Sequence, residues 1–139
     1  MQPIVFFPLP QEMSVSDPVP SEDDLIAILD SDEREMSVVI TNPALPDNPM
    51  IYISEEFEDQ TGYAPEEVLG LNCRFLQGPD TDPNAIEAIR AALKARTTFT
   101  IDILNYRKTG EPFMNRLRIR PLFDDEGKLL YYVGAQNPV

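Results

Sequence analysis

Cys73 is the only cysteine in the 139-residue chain. Asn72, Arg74 and Gln77 stand within four residues of it, in the run Gly70-Leu71-Asn72-Cys73-Arg74-Phe75-Leu76-Gln77. A thiol set among carboxamides and a guanidinium has the parts for covalent chemistry on a polar ligand. A lone cysteine is more often a small buried hydrophobe, so the rest of the chain has to decide. Three further carboxamides, Asn105, Asn115 and Gln136, fall on apolar-alternating segments near the C-terminus. A buried carboxamide without partners costs about 1–3 kcal/mol, so three on one inner face need shared partners. They could satisfy one another, or they could surround a flat heterocycle with alternating donors and acceptors, since each amide offers both. Arg74 and Arg90 would then hold a phosphate, for which guanidinium forks are suited.

Composition removes many alternatives. The length is that of one domain, enough for a core without disulfides or metal. One cysteine forms no internal disulfide, which suits a reducing cytosol, so a cytoplasmic location is expected. The absence of histidine removes Ser-His-Asp triads, His-based zinc sites and a proximal-His haem, and no metal is expected. A net charge of −13 argues against nucleic acid as a partner. No apolar run approaches membrane-spanning length, and the start MQPIVFFPLP lacks a basic n-region, so neither a membrane partner nor a signal peptide is expected.

The elements that must position these residues follow from pattern. Residues 1–20, rich in Pro, Ser and acid, read as a mobile arm. Residues 21–31 read as an N-terminal cap helix: Ser21 and Asp24 make a capping box, and Leu25, Ile28 and Leu29 an apolar stripe. Residues 32–139 are then the core domain. Met36–Thr41 and Met50–Ile53 are strand-like, a short helix opens at Ser54 or Glu55, and Pro65 starts another at a tolerated position. The clearest helix runs from Asp82-Pro83 to about Arg96, with Ile86, Ile89 and Leu93 inward and Arg90 on or beside that stripe.

Three strands follow, with turns at Lys108-Thr109-Gly110 and Asp125-Glu126-Gly127. Alternation puts Ile103 and Asn105 on one face of the first. It groups Asn115, Leu117 and Ile119 on the second, and Tyr132, Gly134 and Gln136 on the third. A turn symmetric about Gly110 would set Asn105 opposite Asn115, and Asp102 opposite Arg118 in the outward stripe Arg116, Arg118 and Arg120. The fold class expected is α+β: a five-stranded antiparallel sheet with short helices packed on one face, plus the cap helix.

The run GLNCRFLQ resembles the signature of the LOV domain, the flavin-binding blue-light sensor of the PAS superfamily, and the resemblance extends from about Met36 to Gln136. It implies FMN as cofactor and a light-driven thioether bond between Cys73 and flavin C4a. It implies that Asn72 and Gln77 contact the ribityl side and ring, and that Arg74 and Arg90 bind the phosphate. Asn105 and Asn115 would meet the pyrimidine edge, and Gln136 would reorient its amide when N5 gains a proton. Val39, Thr41, Asn48, Leu117, Ile119 and Tyr132 fall where the family lines the pocket. Tyr132 stands where the family often has phenylalanine, as does Leu117 for some members.

The expectation is therefore a photosensory module and not an enzyme, with any effector, such as a kinase, outside this chain. The alternative is a PAS-type flavin redox sensor in which Cys73 is incidental; a flavin-dependent enzyme lacks a visible second substrate site. The expected partner is a second copy, in a homodimer through the N-terminal helix or the outer sheet face, or both.

Overall fold

The computed structural model describes residues 20–139. The arm expected over residues 1–20 lies outside them but for Pro20. The cap begins as read: Ser21 accepts from the Asp24 amide and Asp24 returns the bond, opening α1 (Glu22–Ala27). The helix is shorter than the 21–31 expected. Ile28 still has helical φ/ψ, and the chain then turns into a 3-10 helix, Glu33–Glu35.

Five strands, β1 (Ser37–Thr41), β2 (Met50–Ile53), β3 (Phe99–Tyr106), β4 (Pro112–Phe123) and β5 (Leu129–Pro138), form one antiparallel sheet in the order β2-β1-β5-β4-β3. On one face lie α2 (Glu55–Thr61), α3 (Pro65–Val68), a 3-10 turn at Cys73–Leu76, and α4 (Pro83–Ala95). Ser54 caps α2 by accepting from the Phe57 amide, and Gly62, at φ +81°, ends it in the left-handed region that glycine adopts without Cβ strain. Asp82 caps α4, with Pro83 at its first position.

Each sheet face has its own apolar layer. On the helical face, Val39, Met50, Ile53, Phe57, Val68 and Leu76 pack together. Met50 and Ile53 share that face although three residues apart, because the β1–β2 register shifts at Ile40/Thr41. On the opposite face, Leu25 and Leu29 of the cap cover Val38, Ile40, Val133 and Ala135. Burying a leucine side chain stabilises by about 1.5–3 kcal/mol, so this stripe fastens the cap to its own sheet.

Polar contacts reinforce that attachment. Glu33, 1% exposed, accepts from Arg120 Nε and Nη2 (2.8 and 2.7 Å), from Arg118 Nη2 (3.2 Å) and from the Asp30 amide (2.8 Å). Arg120 also donates to the Ile28 carbonyl. Arg118 and Arg120 of the outward stripe thus grip the cap. Burial raises the Glu33 pKa, and its bonds to Arg120 and the Asp30 amide outweigh this, holding the carboxyl below the usual value.

The β3–β4 register corrects one expectation. Asn105 faces Phe113, Asn115 faces Ile103, and Asp102 faces Arg116 rather than Arg118, with an Arg116–Asp102 ion pair of 2.8 Å. The hairpin closes between Arg107 and Glu111 around Lys108-Thr109-Gly110, so its centre is Thr109. Gly110, at φ +92°, fills the last loop position, where a three-residue loop needs the left-handed conformation.

Candidate functional site

Between the sheet's helical face and α4 lies an open cavity lined from β1, β3, β4 and β5, the 3-10 turn and α4. Cys73 enters it from the 3-10 turn. That turn is tied to β2 by backbone bonds, Gly70 N to Met50 O (2.9 Å) and Met50 N to Leu71 O (2.8 Å), and Gly70 takes φ +91° to make the corner. Asn72 fixes it further: Oδ1 accepts from the Arg74 amide at 3.0 Å, and Nδ2 donates to the Asp47 carbonyl at 2.8 Å. The Cys73 thiol is half-buried by surface area, yet the surrounding protein desolvates it and pushes its pKa up to about 12. It therefore carries its hydrogen at any ordinary pH.

The three carboxamides of the sheet step diagonally across β3, β4 and β5. Asn115 Nδ2 donates to Asn105 Oδ1 (3.0 Å) and to Gln136 Oε1 (3.2 Å). The diagonal spacing, rather than direct opposition, lets one amide bridge its two neighbours. All three are buried and line the cavity. The row does not satisfy itself. Asn115 Oδ1 has no partner, nor do Thr41 Oγ1 and Asn48 Oδ1, which also belong to cavity-lining residues. Buried acceptors left unpaired are costly, so this wall is built to receive donors from a ligand. Asn48 reaches it from a loop in which Asp47 and Asn48 both take positive φ, +67° and +48°, a conformation these two residue types tolerate best among non-glycines.

Val39, Leu117, Ile119 and Tyr132 supply apolar walls, and Gln77 closes the side beyond the 3-10 turn. Gly134 keeps the floor open: a Cβ there would stand 3.2 Å from Val39 Cγ2. The Tyr132 hydroxyl donates to the Leu93 carbonyl of α4 at 2.6 Å.

Of the residues expected from sequence, Arg90 alone is not on the cavity wall. Its guanidinium is 70% exposed and pairs with Glu87 at 2.6 Å, one residue beyond Ile89, which does line the cavity. Arg74 lies on the wall and pairs with Asp47, with Nη1 at 3.0 and 3.2 Å from the carboxylate oxygens. Leu76, Ile89, Leu93, Ile103 and Gly134 also line the cavity and were not singled out as site residues. The helical stripe marks Ile89 and Leu93, and strand alternation marks Ile103 and Gly134, so the signal for them was present.

The residues fit a flavin: an amide edge with unpaired acceptors, apolar walls for a flat ring system, and an arginine at the mouth. They would hold the pyrimidine edge with Asn105 and Asn115, with Gln136 beside them.

Comparisons with known proteins give the family and the fold. A family model described as a PAS domain matches residues 34–137. A blue-light-activated histidine kinase of Brucella anthropi is 54% identical over 104 residues, 75% of this chain and 21% of that protein. Phototropin-2 of Oryza sativa subsp. japonica is 44% identical over 102 residues, 73% of this chain and 11% of that protein. The chain thus spans about a fifth or less of the length of these relatives. Among solved structures, the dark structure of the blue-light photoreceptor Aureochrome1 LOV superposes with a TM-score of 0.76 at 40% identity, covering 91% of this chain and 88% of that one. The LOV domain of a blue-light activated histidine kinase from Erythrobacter litoralis gives 0.72 at 41% identity, covering 75% and 95%.

Proposed function

Because the chain belongs to the LOV branch of the PAS domain family, we propose that it senses blue light by holding FMN and bonding it reversibly to Cys73. The bound flavin supplies the light absorption and an electrophilic C4a=N5 unit. Cys73 would supply both partners of the reversible addition, its sulfur to C4a and its thiol hydrogen to N5, and would take both back in the dark. No outside oxidant or reductant is required. A thiol whose pKa stands at about 12 suits this step, since it brings the hydrogen with the sulfur and presents no thiolate to the flavin in the dark. The observation that carries the reading is the meeting of Cys73 and the incompletely paired amide row in one cavity.

Gln136 is the output of the site. With Oε1 held by Asn115 Nδ2, its NH2 end is the one offered to an unprotonated N5. Once N5 carries hydrogen, an acceptor is needed there, and the amide must turn. That change sits on central β5, whose outer face carries the cap. Arg74 and Arg90 are assigned to the FMN phosphate, both by leaving carboxylate partners at the surface. A homodimer and a cytoplasmic location belong to the same proposal. The cap stripe lies on its own sheet, so the dimer contact would use the cap's outer side or the uncovered β3–β4 half, where Met114 is 41% exposed. Kinase activity is named for relatives of which this chain spans 21%; any such output is a partner of the sensor proposed here.

The test is an absorption spectrum of the flavin-loaded protein before and after blue light, for wild type and Cys73→Ala. The wild type should bleach and recover, and the variant should stay yellow. Bleaching that persists without Cys73 would favour the redox-sensor alternative.

A further inference from the structure

We propose that α4 is the moving wall of the cavity and that the Tyr132 hydroxyl is the catch holding it shut, so that flavin enters and leaves where α4 parts from β5. The inference rests on the flavin-binding reading above. The two ends of α4 are anchored unequally. At its start, Thr81 Oγ1 donates to the Leu104 carbonyl of β3 at 2.7 Å and accepts from the Gly78 amide at 3.0 Å, so that end is fixed to the sheet edge. Of the helix's thirteen residues, only Ala85, in this first turn, is buried. Further along, Ile89 and Leu93 line the cavity and are only part-buried. The helix ends at Arg96 in the left-handed conformation, followed by exposed Thr97 and Thr98.

Against this loose end stands Tyr132, 6% exposed and paired with Thr41 of β1 in the middle of the sheet. Among the described residues, its bond to the Leu93 carbonyl is the one side-chain hydrogen bond from the sheet to the helix. It engages a carbonyl of the last turn, where helix carbonyls run out of ordinary intrahelical partners. A fixed donor on the sheet and a carbonyl on a lightly packed helix make a joint that opens at the helix. The anchored first turn is the hinge.

Tyr132→Phe keeps the ring and removes only the catch. Dissociation of FMN and of riboflavin from the loaded protein should each quicken by about three- to tenfold, the worth of one neutral hydrogen bond. The factor should be equal for both, because the catch does not touch the phosphate. Tyr131→Phe, on the opposite sheet face, should leave both rates unchanged. In the wild type without flavin, amides of residues 90–96 should exchange hydrogen faster than those of β4 and β5, and FMN should slow them. Unchanged dissociation in Tyr132→Phe, quickening for FMN alone, or exchange of α4 in step with the sheet would each overturn the catch. A wild type that takes up no flavin would sink the underlying reading first, and this inference with it.

Discussion

Asn115 holds Gln136 in one orientation: its Nδ2 donates to Gln136 Oε1 at 3.2 Å across the β4–β5 ladder. Turning the Gln136 amide would set two NH2 groups against each other. The proposed reorientation of Gln136 would therefore disturb Asn115 and, through it, Asn105 at 3.0 Å.

Gln136→Leu should test this row. It deprives Asn115 of an acceptor in a buried setting, so the flavin-free protein should lose about 1–3 kcal/mol of stability. With flavin bound, the dark spectrum should shift and the light-induced change in hydrogen exchange over the cap should shrink. An unaltered spectrum would place Gln136 away from the ring.

The proposed Cys73 adduct should form in a yield insensitive to pH over the ordinary range. Its folded pKa of about 12 lies above the ordinary thiol value of 9.0, so the group's contribution to stability is fully present below pH 9. It is lost as pH rises from there through the folded value. Yield measured across neutral pH should be flat. A fall with acidification, as for a thiolate mechanism, would contradict the thiol assignment.

Replacing Arg74 and Arg90 together with glutamine should weaken FMN about tenfold or more while leaving riboflavin little changed. A charge-assisted bond is worth about 1.5–3 kcal/mol. It is worth less at a mouth where the side chains are 55% and 70% exposed. Titration with both flavins decides it, and equal losses would remove the phosphate role.

Glu33→Gln should release the cap. Breaking a buried carboxylate–arginine cluster costs on the order of 3 kcal/mol, and here it leaves Arg118 and Arg120 facing a neutral amide, with Asp30 at 3.9 and 3.8 Å as their remaining shared carboxylate. Because the Glu33 pKa is lowered in the folded state, its contribution is present above the ordinary value of 4.5 and is lost as pH falls below it. Acid should therefore mimic the substitution. Protease cleavage around residues 28–36 should quicken in both cases; a cap equally protected in the variant would show that Leu25 and Leu29 suffice.

Most of this arrangement is legible from single residues. Ser21, Ser54, Gly62 and Asp82 mark helix ends through local backbone chemistry, and strand alternation assigns Asn105, Asn115 and Gln136 to one face. The register was not legible in the same way. Lys108-Thr109-Gly110 admits centres at Thr109 or Gly110, and that one-residue choice moves every pairing by two. It turned an expected opposition of Asn105 and Asn115 into a diagonal. Arg90 shows another limit: helical spacing sets a residue beside the inner stripe, but a long side chain at that boundary turns outward to Glu87. Glu33 was missed because nothing near it in sequence announces partners 85 and 87 residues away.

The position of β5 has a consequence for how the protein is made. Among the described residues it is the fifth strand in sequence and the middle strand of the sheet, between β1 and β4. Until it emerges, β1–β2 and β3–β4 are two separate pairs with no ladder between them, each with a bare edge. Long-range pairings such as Ser37 with Gln136 close late and slowly. Until β5 has emerged, the nascent domain thus has no closed sheet and is exposed to edge-to-edge association. Capture of the proposed flavin would have to follow emergence of β5, because Tyr132, Gly134 and Gln136 all arrive with that strand.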